Sequence, residues 1–534
     1  MSSQEYQPKY QRQVQLFLVF FLMFQPLLDL NIFFLNSKLV FFGLTIPSLV
    51  RMGVVGGLCL FEIVGFLRRP KINRDLSKKW LLLALIYVIY FVIHHLVSSK
   101  YYTPFVSQFP YSVKSDTIYF FKSLIPIVLI FLFIKYRISN YFKEIIYGWI
   151  LLIAGSIVLT NLLGISLSSY TNEPIVGNIF TWFTGIYNEW SFLQVASKGF
   201  FRYANEISAI LAILTPFITY YAFIERKVLP IVLLFLTQLS MMMIGTKVAL
   251  YSFIVMFAAT LILIVFYDIL LGRQKIKLYQ VLLLIVVPIT YVAIFPHSPS
   301  VARSTSMSTV VKAADEKEME EQPDENLKIE DESNLKRIQK PIVPVTDDNQ
   351  IDAIYDNIEK KYPEKRISHY FLLKAYPYNV DPVFWVGILN QKNEKTMNNR
   401  FVEQQILKRV KAVNDNPLES FFGMGYSRMN HLYPLEQDFV AHFYTIGIIG
   451  ILLFFGQYFL VFGIGLAILF KGKIFKLQAY EAITLMSLVY LVAVAINSGN
   501  VIDSLFTPII AAALISKMIF DYKKIIMRKG EKQK

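Results

Sequence analysis

Long uninterrupted apolar runs constrain this chain more than any other feature of its sequence. Runs of about 18–26 residues, each long enough to cross roughly 30 Å of hydrocarbon, recur along its 534 residues. Hydrophobic residues make up 55% of the chain, too large a share for a soluble globule with a polar surface. The sequence therefore predicts an all-α polytopic membrane protein of about twelve transmembrane helices, with a large extracytoplasmic loop before the tenth. The predicted spans are 14–36, 46–67, 80–97, 117–136, 141–164, 203–224, 227–245, 246–271, 277–296, 447–470, 477–496 and 501–522.

Basic residues cluster in the connections that follow the even-numbered spans. By the positive-inside rule these connections face the cytoplasm, as do both termini. The clusters also account for the formal net charge of +15, because they suit the anionic lipid of the bilayer; nucleic acid is not an expected partner. The clusters are Arg68, Arg69, Lys71, Arg74, Lys78 and Lys79, then Lys135, Arg137 and Lys143, Arg226 and Lys227, Arg273, Lys275 and Lys277, Lys471, Lys473 and Lys476, and Lys523, Lys524, Arg528 and Lys529.

Composition divides the chain into five parts. Ten acidic and five basic side chains crowd residues 312–337, with almost nothing to bury, which is typical of a disordered, solvated segment. Helical spacing returns at 401–413, where Phe401, Ile406, Val410 and Val413 fall close to one face. The predicted parts are a membrane domain (1–296), an acidic outer tether (297–340), an outer lid (341–438), a re-entry helix with spans 10–12 (439–522) and a basic cytoplasmic tail (523–534).

Polar side chains gather where the outer loop returns to the membrane. A carboxylate near this low-dielectric boundary, Glu436 above all, could act as general base toward a sugar hydroxyl. Alternatively, Glu436 and Asp438 cap the helix, His442 is a packed ring and His431 an ordinary loop histidine. The set comprises Arg428, His431, Glu436, Asp438 and His442.

Three basic residues lie on the predicted outer face, where the positive-inside rule predicts few of them. Arg202 lies at the mouth of the sixth span, followed by Asn205, and could clamp a phosphate with help from the helix N-terminus. Lys247 occupies a very short Gly-Thr-Lys turn, and Arg400 precedes an amphipathic helix. The alternatives are a snorkelling arginine, a lysine that reaches lipid headgroups and a solvated surface residue.

The sequence contains no recognisable motif for binding a metal or a nucleotide. The six histidines are scattered, and neither HExxH nor a P-loop nor GxGxxG is present, so no metal or cofactor is expected. His94 and His95 lie in the third span and are interpreted as structural. Cys59 is the single cysteine, so no internal disulfide can form.

Several stretches in this order resemble the O-antigen ligase and polymerase superfamily. They are FFRYANEISA, MIGTKVAL, Arg400, NPLESFFGMG and GIIGILLFF. The resemblance implies a GT-C-like fold and a membrane glycosyltransferase that takes a glycan from undecaprenyl diphosphate on the outer leaflet. Ligases of the superfamily carry His-Asn about eleven residues before the closing Gly-x-x-Gly. This chain has Glu436 and Gln437 there, which resembles the branch associated with capsular or exopolysaccharide polymerisation.

The resemblance implies inverting, metal-independent joining of lipid-linked repeat units. Arg202 and Arg400, with Lys247 as helper and Asn205 and Arg428 as further candidates, would bind the donor diphosphate, and Glu436 would activate the acceptor. Asp438, His431 and His442 are alternative bases. A flippase and a chain-length regulator are further candidate partners. Other interpretations are a ligase to another acceptor, or a flippase, although a flippase should carry cations deep within its spans.

The predicted topology can be tested by labelling from outside intact cells. In a Cys59→Ala background, a cysteine placed within 312–337 should react with a membrane-impermeant maleimide, and one placed after Lys523 should not. Labelling of the tail alone would contradict the whole topology.

Overall fold

The computed structural model describes residues 9–34, 44–67, 74–100, 111–184, 192–271, 277–306, 312, 367–368, 370–378, 380–389, 391–429 and 437–527. Within these ranges the chain is mostly helical, and its only extended pairings are three isolated antiparallel bridges. The predicted all-α class is therefore confirmed. Most of the predicted tether and the end of the tail lie outside the described residues.

The described residues include twenty α-helices. They are α1 (Lys9–Met23), α2 (Gln25–Leu28), α3 (Ile46–Leu67), α4 (Arg74–Ser99), α5 (Val113–Lys135), α6 (Phe142–Ile150), α7 (Ser156–Leu162), α8 (Phe192–Val195), α9 (Ala204–Ile224), α10 (Val228–Ile244), α11 (Lys247–Ile264), α12 (Leu278–Ile294), α13 (Pro382–Leu389), α14 (Asn393–Thr396), α15 (Asn399–Asn414), α16 (Glu419–Phe422), α17 (Tyr426–Met429), α18 (Asp438–Phe470), α19 (Ala479–Asn497) and α20 (Phe506–Met527). Short π-helical segments, Leu151–Gly155 and Val265–Leu270, continue α6 and α11.

Nine helical stretches in the described ranges are long and apolar enough to cross a membrane. They coincide with nine of the twelve predicted spans. The run 14–36 is broken instead, because α1 ends at Met23 and Pro26 opens a separate short helix. The run 227–245 forms α10, of 17 residues, and α20 carries charged side chains in its second half. The nine stretches are Ile46–Gly65, Leu82–Ser99, Val113–Lys135, Ile138–Leu162, Ala204–Ile224, Lys247–Leu270, Leu278–His297, Asp438–Phe470 and Ala479–Asn497.

One compact unit contains the described residues of Met1–Arg69, Phe121–Ser304 and Phe454–Lys534. Helix α9 lies at its centre and packs against α10, α11 and α19. Of the most apolar window of α9, 89% is buried, against 22% for α12. Because α9 is apolar and buried on all sides, its position within the unit is fixed. The residues just before α9 are therefore held on a rigid element.

A second compact unit contains the described residues of Pro70–Phe120 and Thr305–Leu453. Its hydrophobic core includes Trp385 from α13 and Ile406 and Val410 from α15. The helical spacing at 401–413 is confirmed, since α15 spans Asn399–Asn414 and buries that apolar face. Interpretation of 341–438 as an outer lid remains a prediction.

Two glycine motifs of the second unit meet backbone to backbone. A Cβ added at Gly423 would collide with the main chain of Thr445, and one added at Gly447 with that of Phe421. Both glycines have positive φ, 83° and 65°, a conformation that costs other residues energy. Helix α18 is interrupted at Gly447. The Gly-x-Gly and Gly-x-x-Gly motifs thus allow a loop to dock against a break in a helix.

Side chains of α4 and α5 satisfy the polar groups that this docking leaves in the interior. The Tyr90 hydroxyl donates to the Ile446 carbonyl at 2.6 Å. Asp116 accepts from the backbone N–H of Ser427 at 2.8 Å and lies 3.0 Å from His94 Nε2. A buried polar group without a partner would cost about 1–3 kcal/mol. The structural interpretation of His94 therefore agrees with its contacts.

Alanine substitutions at two glycines of α18 distinguish the effect of close backbone docking from the ordinary effect of helix propensity. We expect Gly447→Ala to destabilise the protein by several kcal/mol, since positive φ alone costs about 1–2 kcal/mol and the collision adds to it. Gly456→Ala, on the same helix with nothing within 4 Å of the added carbon, should be neutral or slightly stabilising. Thermal unfolding in detergent would measure both. Equal melting temperatures would contradict the docking.

Candidate functional site

A short backbone pairing fixes the segment that carries Arg202. The Asn31 N–H donates to the Phe200 carbonyl at 2.7 Å, and the Arg202 N–H donates to the Asp29 carbonyl at 3.1 Å. Leu30 and Phe201 form an isolated antiparallel bridge between these two bonds. Arg202 is therefore held by the segment after α2 on one side and by the start of α9 on the other.

The Arg202 guanidinium lies against two aromatic rings. Its Cζ is 4.1 Å from the ring centroid of Phe34 and 4.5 Å from that of Tyr203. Among the described residues, no carboxylate pairs with it and no side chain or carbonyl accepts its protons. Two ring contacts restrict the plane of the guanidinium while leaving its N–H edges available. This arrangement can present a planar fork to an anion.

The acids nearest in sequence to this segment are already engaged. Asp29 pairs with Arg51 from α3, and both side chains are buried. Arg51 Nε also donates to Gln25 Oε1 at 2.8 Å. Glu206, 1% exposed, accepts from the Ser504 hydroxyl. Asp29 is therefore neutralised by Arg51.

Lys198 adds a buried cation to the same segment. Its ammonium donates to Asn172 Oδ1 at 3.1 Å and to the Arg202 carbonyl at 3.0 Å, both uncharged oxygens. Burial lowers the pKa of Lys198 to about 8, because the charged form loses its hydration. Near neutral pH Lys198 remains largely protonated and contributes positive charge.

The Gly-Thr-Lys turn is fixed to α9 in the same unit. Gly245 has φ of 73°, and a Cβ there would lie 2.8 Å from that of Ala196. The Thr246 hydroxyl oxygen caps α11 by accepting from the Ala249 N–H at 3.1 Å, and it lies 2.8 Å from the Ser208 hydroxyl. Lys247 itself is exposed, so its ammonium is open to solvent or ligand.

The first unit thus contains three of the predicted site residues: Arg202, Lys247 and the partly buried Asn205. Besides Lys198, it adds a second cation that the sequence did not single out. Arg303 Nη1 donates to the Tyr170 hydroxyl at 3.0 Å, and that hydroxyl donates to the Gly245 carbonyl at 2.7 Å. No motif marks Arg303, because only the fold connects it to the turn.

The second unit contains the other predicted residues that are described. Arg428 is buried and donates to the Ser98 carbonyl at 2.7 Å, which is an anchoring contact. His442 Nδ1 lies 2.5 Å from the Tyr119 hydroxyl. Asp438, 1% exposed, is the first residue of α18, and Arg400 is the second residue of α15.

His431 and Glu436 lie outside the described residues, so the role of Glu436 remains a sequence prediction. The described part of the second unit offers another carboxyl group, Glu419, which sequence reasoning passed over. Burial raises the pKa of Glu419 to about 7, opposed by a hydrogen bond from Asn414 and by the charges of Lys411 and Arg428. No group of three or more potential metal ligands occurs among the described residues.

The apolar helices of the described residues define a multi-pass α-helical membrane protein. A family model described as O-antigen ligase like membrane protein matches residues 11–525, nearly the whole chain. The chain therefore belongs to the O-antigen ligase-like membrane proteins, a family that suggests a membrane glycan ligase or polymerase. A comparison with curated proteins finds no match to this sequence.

The aromatic support of Arg202 gives a prediction for activity. We expect Phe34→Leu to lower glycan transfer about two- to thirtyfold, because it keeps an apolar side chain but removes a cation–π contact of about 0.5–2 kcal/mol. Phe180→Leu, at a ring that is 68% exposed, is the matched control and should keep full activity. Initial rates in membranes with equal protein levels would decide. Equal losses in both variants would contradict a specific role for Phe34.

Proposed function

We propose that this protein is a polymerase that joins lipid-linked oligosaccharide repeat units on the outer face of the cytoplasmic membrane. The donor would be an undecaprenyl diphosphate glycan, and the product a capsular or exopolysaccharide chain. The transfer would be inverting and independent of metal, as the sequence motifs imply. Both termini would then be cytoplasmic.

The observation that supports this proposal most is the environment of the Arg202 guanidinium. It is restrained between two rings yet has no acidic partner among the described residues. An arginine that merely snorkels to headgroups needs no such support, whereas bidentate binding of a diphosphate profits from a fixed plane. The start of α9, one residue after Tyr203, adds the positive end of a 21-residue helix.

The proposed chemistry consists of positioning and neutralising charge. The acceptor hydroxyl attacks the anomeric carbon, the bond to the diphosphate oxygen breaks, and undecaprenyl diphosphate leaves with one additional negative charge. As the resemblance implies, Arg202 and Arg400 would bind this leaving group, with Lys247 as helper. Glu436 would accept the hydroxyl proton, and Asp438, His431 and His442 remain alternative bases.

A ligase that transfers the glycan to a different acceptor is the second candidate, supported equally by the family. Reconstituted protein distinguishes the two reactions. A polymerase supplied only with lipid-linked repeat units should produce a ladder of longer chains on the lipid. A ligase should leave those units unchanged until a chemically different acceptor is added.

Two substitutions test the roles of the proposed residues. We expect Arg202→Lys to reduce transfer about ten- to a hundredfold, because it keeps the charge but loses the fork that makes two charge-assisted hydrogen bonds. Glu436→Gln keeps size and removes the base, which should cost about a hundred- to ten-thousandfold. Transfer rates and the leaflet in which unjoined units accumulate are the measurements.

Arg226→Lys provides the matched control, because Arg226 follows α9 at its other end and should tolerate lysine. Accumulation of unjoined units on the outer leaflet supports a glycosyltransferase. Accumulation on the inner leaflet would mean that the protein moves the lipid, and the glycosyltransferase assignment would be wrong. Full activity of Glu436→Gln alone would place the base at one of the three alternatives.

A further inference from the structure

Lys198 is a buried cation without an acidic partner among the described residues. It is 4% exposed, and its ammonium group donates to two uncharged oxygens, Asn172 Oδ1 and the Arg202 carbonyl. Glu173, the acid next to Asn172 in the sequence, is exposed and forms no ion pair with Lys198. Burying a charge costs free energy unless an opposite charge or hydrogen bonds compensate for the lost hydration. The hydrogen bonds compensate in part, but the positive charge of Lys198 is not neutralised.

The place of this charge is unfavourable for a lysine with a purely structural role. The Arg202 carbonyl comes just before α9, whose N-cap is Tyr203. The N-terminus of a helix carries a partial positive charge, so a cation beside it is disfavoured and an anion is favoured. Lys198 adds a full positive charge at this end of α9. An anionic ligand near the start of α9 would offset both unfavourable terms.

Lys198 also completes the hydrogen bonding of the Arg202 main chain. The Arg202 N–H donates to the Asp29 carbonyl at 3.1 Å, and the Arg202 carbonyl accepts from Lys198 at 3.0 Å. The main chain of Lys198 is fixed as well, since its N–H donates to the Leu167 carbonyl at 3.0 Å and its carbonyl accepts from the Phe201 N–H at 3.3 Å. Both main-chain polar groups of Arg202 are therefore bonded, and its guanidinium projects from a fixed point of the chain.

We infer that Lys198 is a positioning residue of the Arg202 site, which holds the Arg202 main chain and supplies a second positive charge that favours binding of the donor diphosphate. The inference rests on the proposed function and adds a residue that the sequence did not single out. Because Lys198 is buried, it acts through Arg202 and through its electric field. Salt screens the field of a buried charge less than that of a surface lysine.

The protonation state of Lys198 separates its charge from its hydrogen bonds. A neutral amine still has two N–H donors, one for each of the two oxygens, so loss of the proton removes only the charge. Burial lowers the pKa of Lys198 to about 8. The charge is therefore present below that pH and is lost as the pH rises through it. Because a bound anion stabilises the charged form, binding above about pH 8 should be accompanied by proton uptake.

The experiment measures equilibrium binding of a polyprenyl diphosphate sugar to the purified full-length protein in lipid nanodiscs, from about pH 6.5 to about pH 9.5. This diester lacks the ionisation near pH 6 of a phosphate monoester, so its own charge stays constant. We expect affinity to fall about ten- to a hundredfold as the pH rises through the pKa of Lys198. Calorimetry at about pH 8.5 in buffers of different ionisation enthalpy should show proton uptake on binding. Constant affinity without proton uptake would overturn the inference.

Asn172→Asp neutralises the charge while leaving Lys198 and Arg202 in place. Aspartate has nearly the shape of asparagine and would form an ion pair with Lys198, so diphosphate binding at pH 7 should weaken about ten- to a hundredfold. Thr171→Asp is the matched control, because it adds the same charge to the neighbouring exposed residue, which has no hydrogen bond to Lys198. It should weaken binding much less. Equal losses in the two variants would mean a general charge effect and would contradict the inference.

Substitutions of Lys198 itself complete the test. Lys198→Met removes the charge and both hydrogen bonds and should weaken binding at every pH below about 8. Lys198→Arg remains charged throughout, so its affinity should not fall at alkaline pH. If neither variant accumulates in the membrane, the pH dependence of the wild type and the Asn172→Asp variant still decide. Weak binding by Lys198→Met with no effect of pH or of Asn172→Asp would make Lys198 a structural residue, and the inference would be wrong.

Failure of the inference differs from failure of the proposed function. If the Lys198 and Asn172 variants bind diphosphate like the wild type while Arg202→Lys binds it weakly, only the inference is wrong. If all of these variants bind and transfer like the wild type, the site does not bind diphosphate, and the inference and the proposed function are both wrong. If the Lys198 variants bind weakly but the wild type joins no repeat units, the inference stands and the proposed function is wrong.

Discussion

The cost of leaving a polar group unsatisfied in hydrocarbon governs this protein. Backbone N–H and C=O groups in a bilayer must bond within the chain, so irregular backbone is tolerated only where protein covers it. The break in α18 at Gly447 meets this condition, because the Phe421–Gly425 loop docks there and Tyr90 donates to the Ile446 carbonyl. The same requirement applies to charge in the first unit, where Asp29 and Arg51 are buried as a pair.

These constraints explain why some parts of the fold could be predicted from the sequence. Nine spans followed from apolar length alone, and α15 followed from its spacing, since Ile406 and Val410 recur at helical intervals. The break after Met23 could have been found, because Pro26 stands inside the run. The end of α10 also followed from the sequence, because Gly245, which closes the helix with positive φ, opens the predicted Gly-Thr-Lys turn.

The candidate site was predictable only where its residues stand in local motifs. Arg202 and Lys247 stand at the starts of helices. They could be recognised in the sequence because the positive-inside rule predicts few basic residues on the outer face. Arg303 has no such signal, because its partner Tyr170 is far from it in the sequence. The aromatic support from Phe34 is equally non-local, being set by the pairing of the segments around Asn31 and Phe200.

Burial and pairing separate two kinds of cation in the first unit. Arg51 is paired with a carboxylate, and this ion pair joins α3 to the segment after α2 and neutralises the charge of Arg51. Arg202 and Lys198 are held instead by aromatic rings and uncharged oxygens, which restrain a cation without neutralising it. Because these partners are uncharged, the positive potential of the two cations still extends outside the protein. A low-dielectric boundary strengthens that potential. Under the proposed function, a site built this way would favour an anion whose charge increases during the reaction, as the charge of a departing diphosphate does.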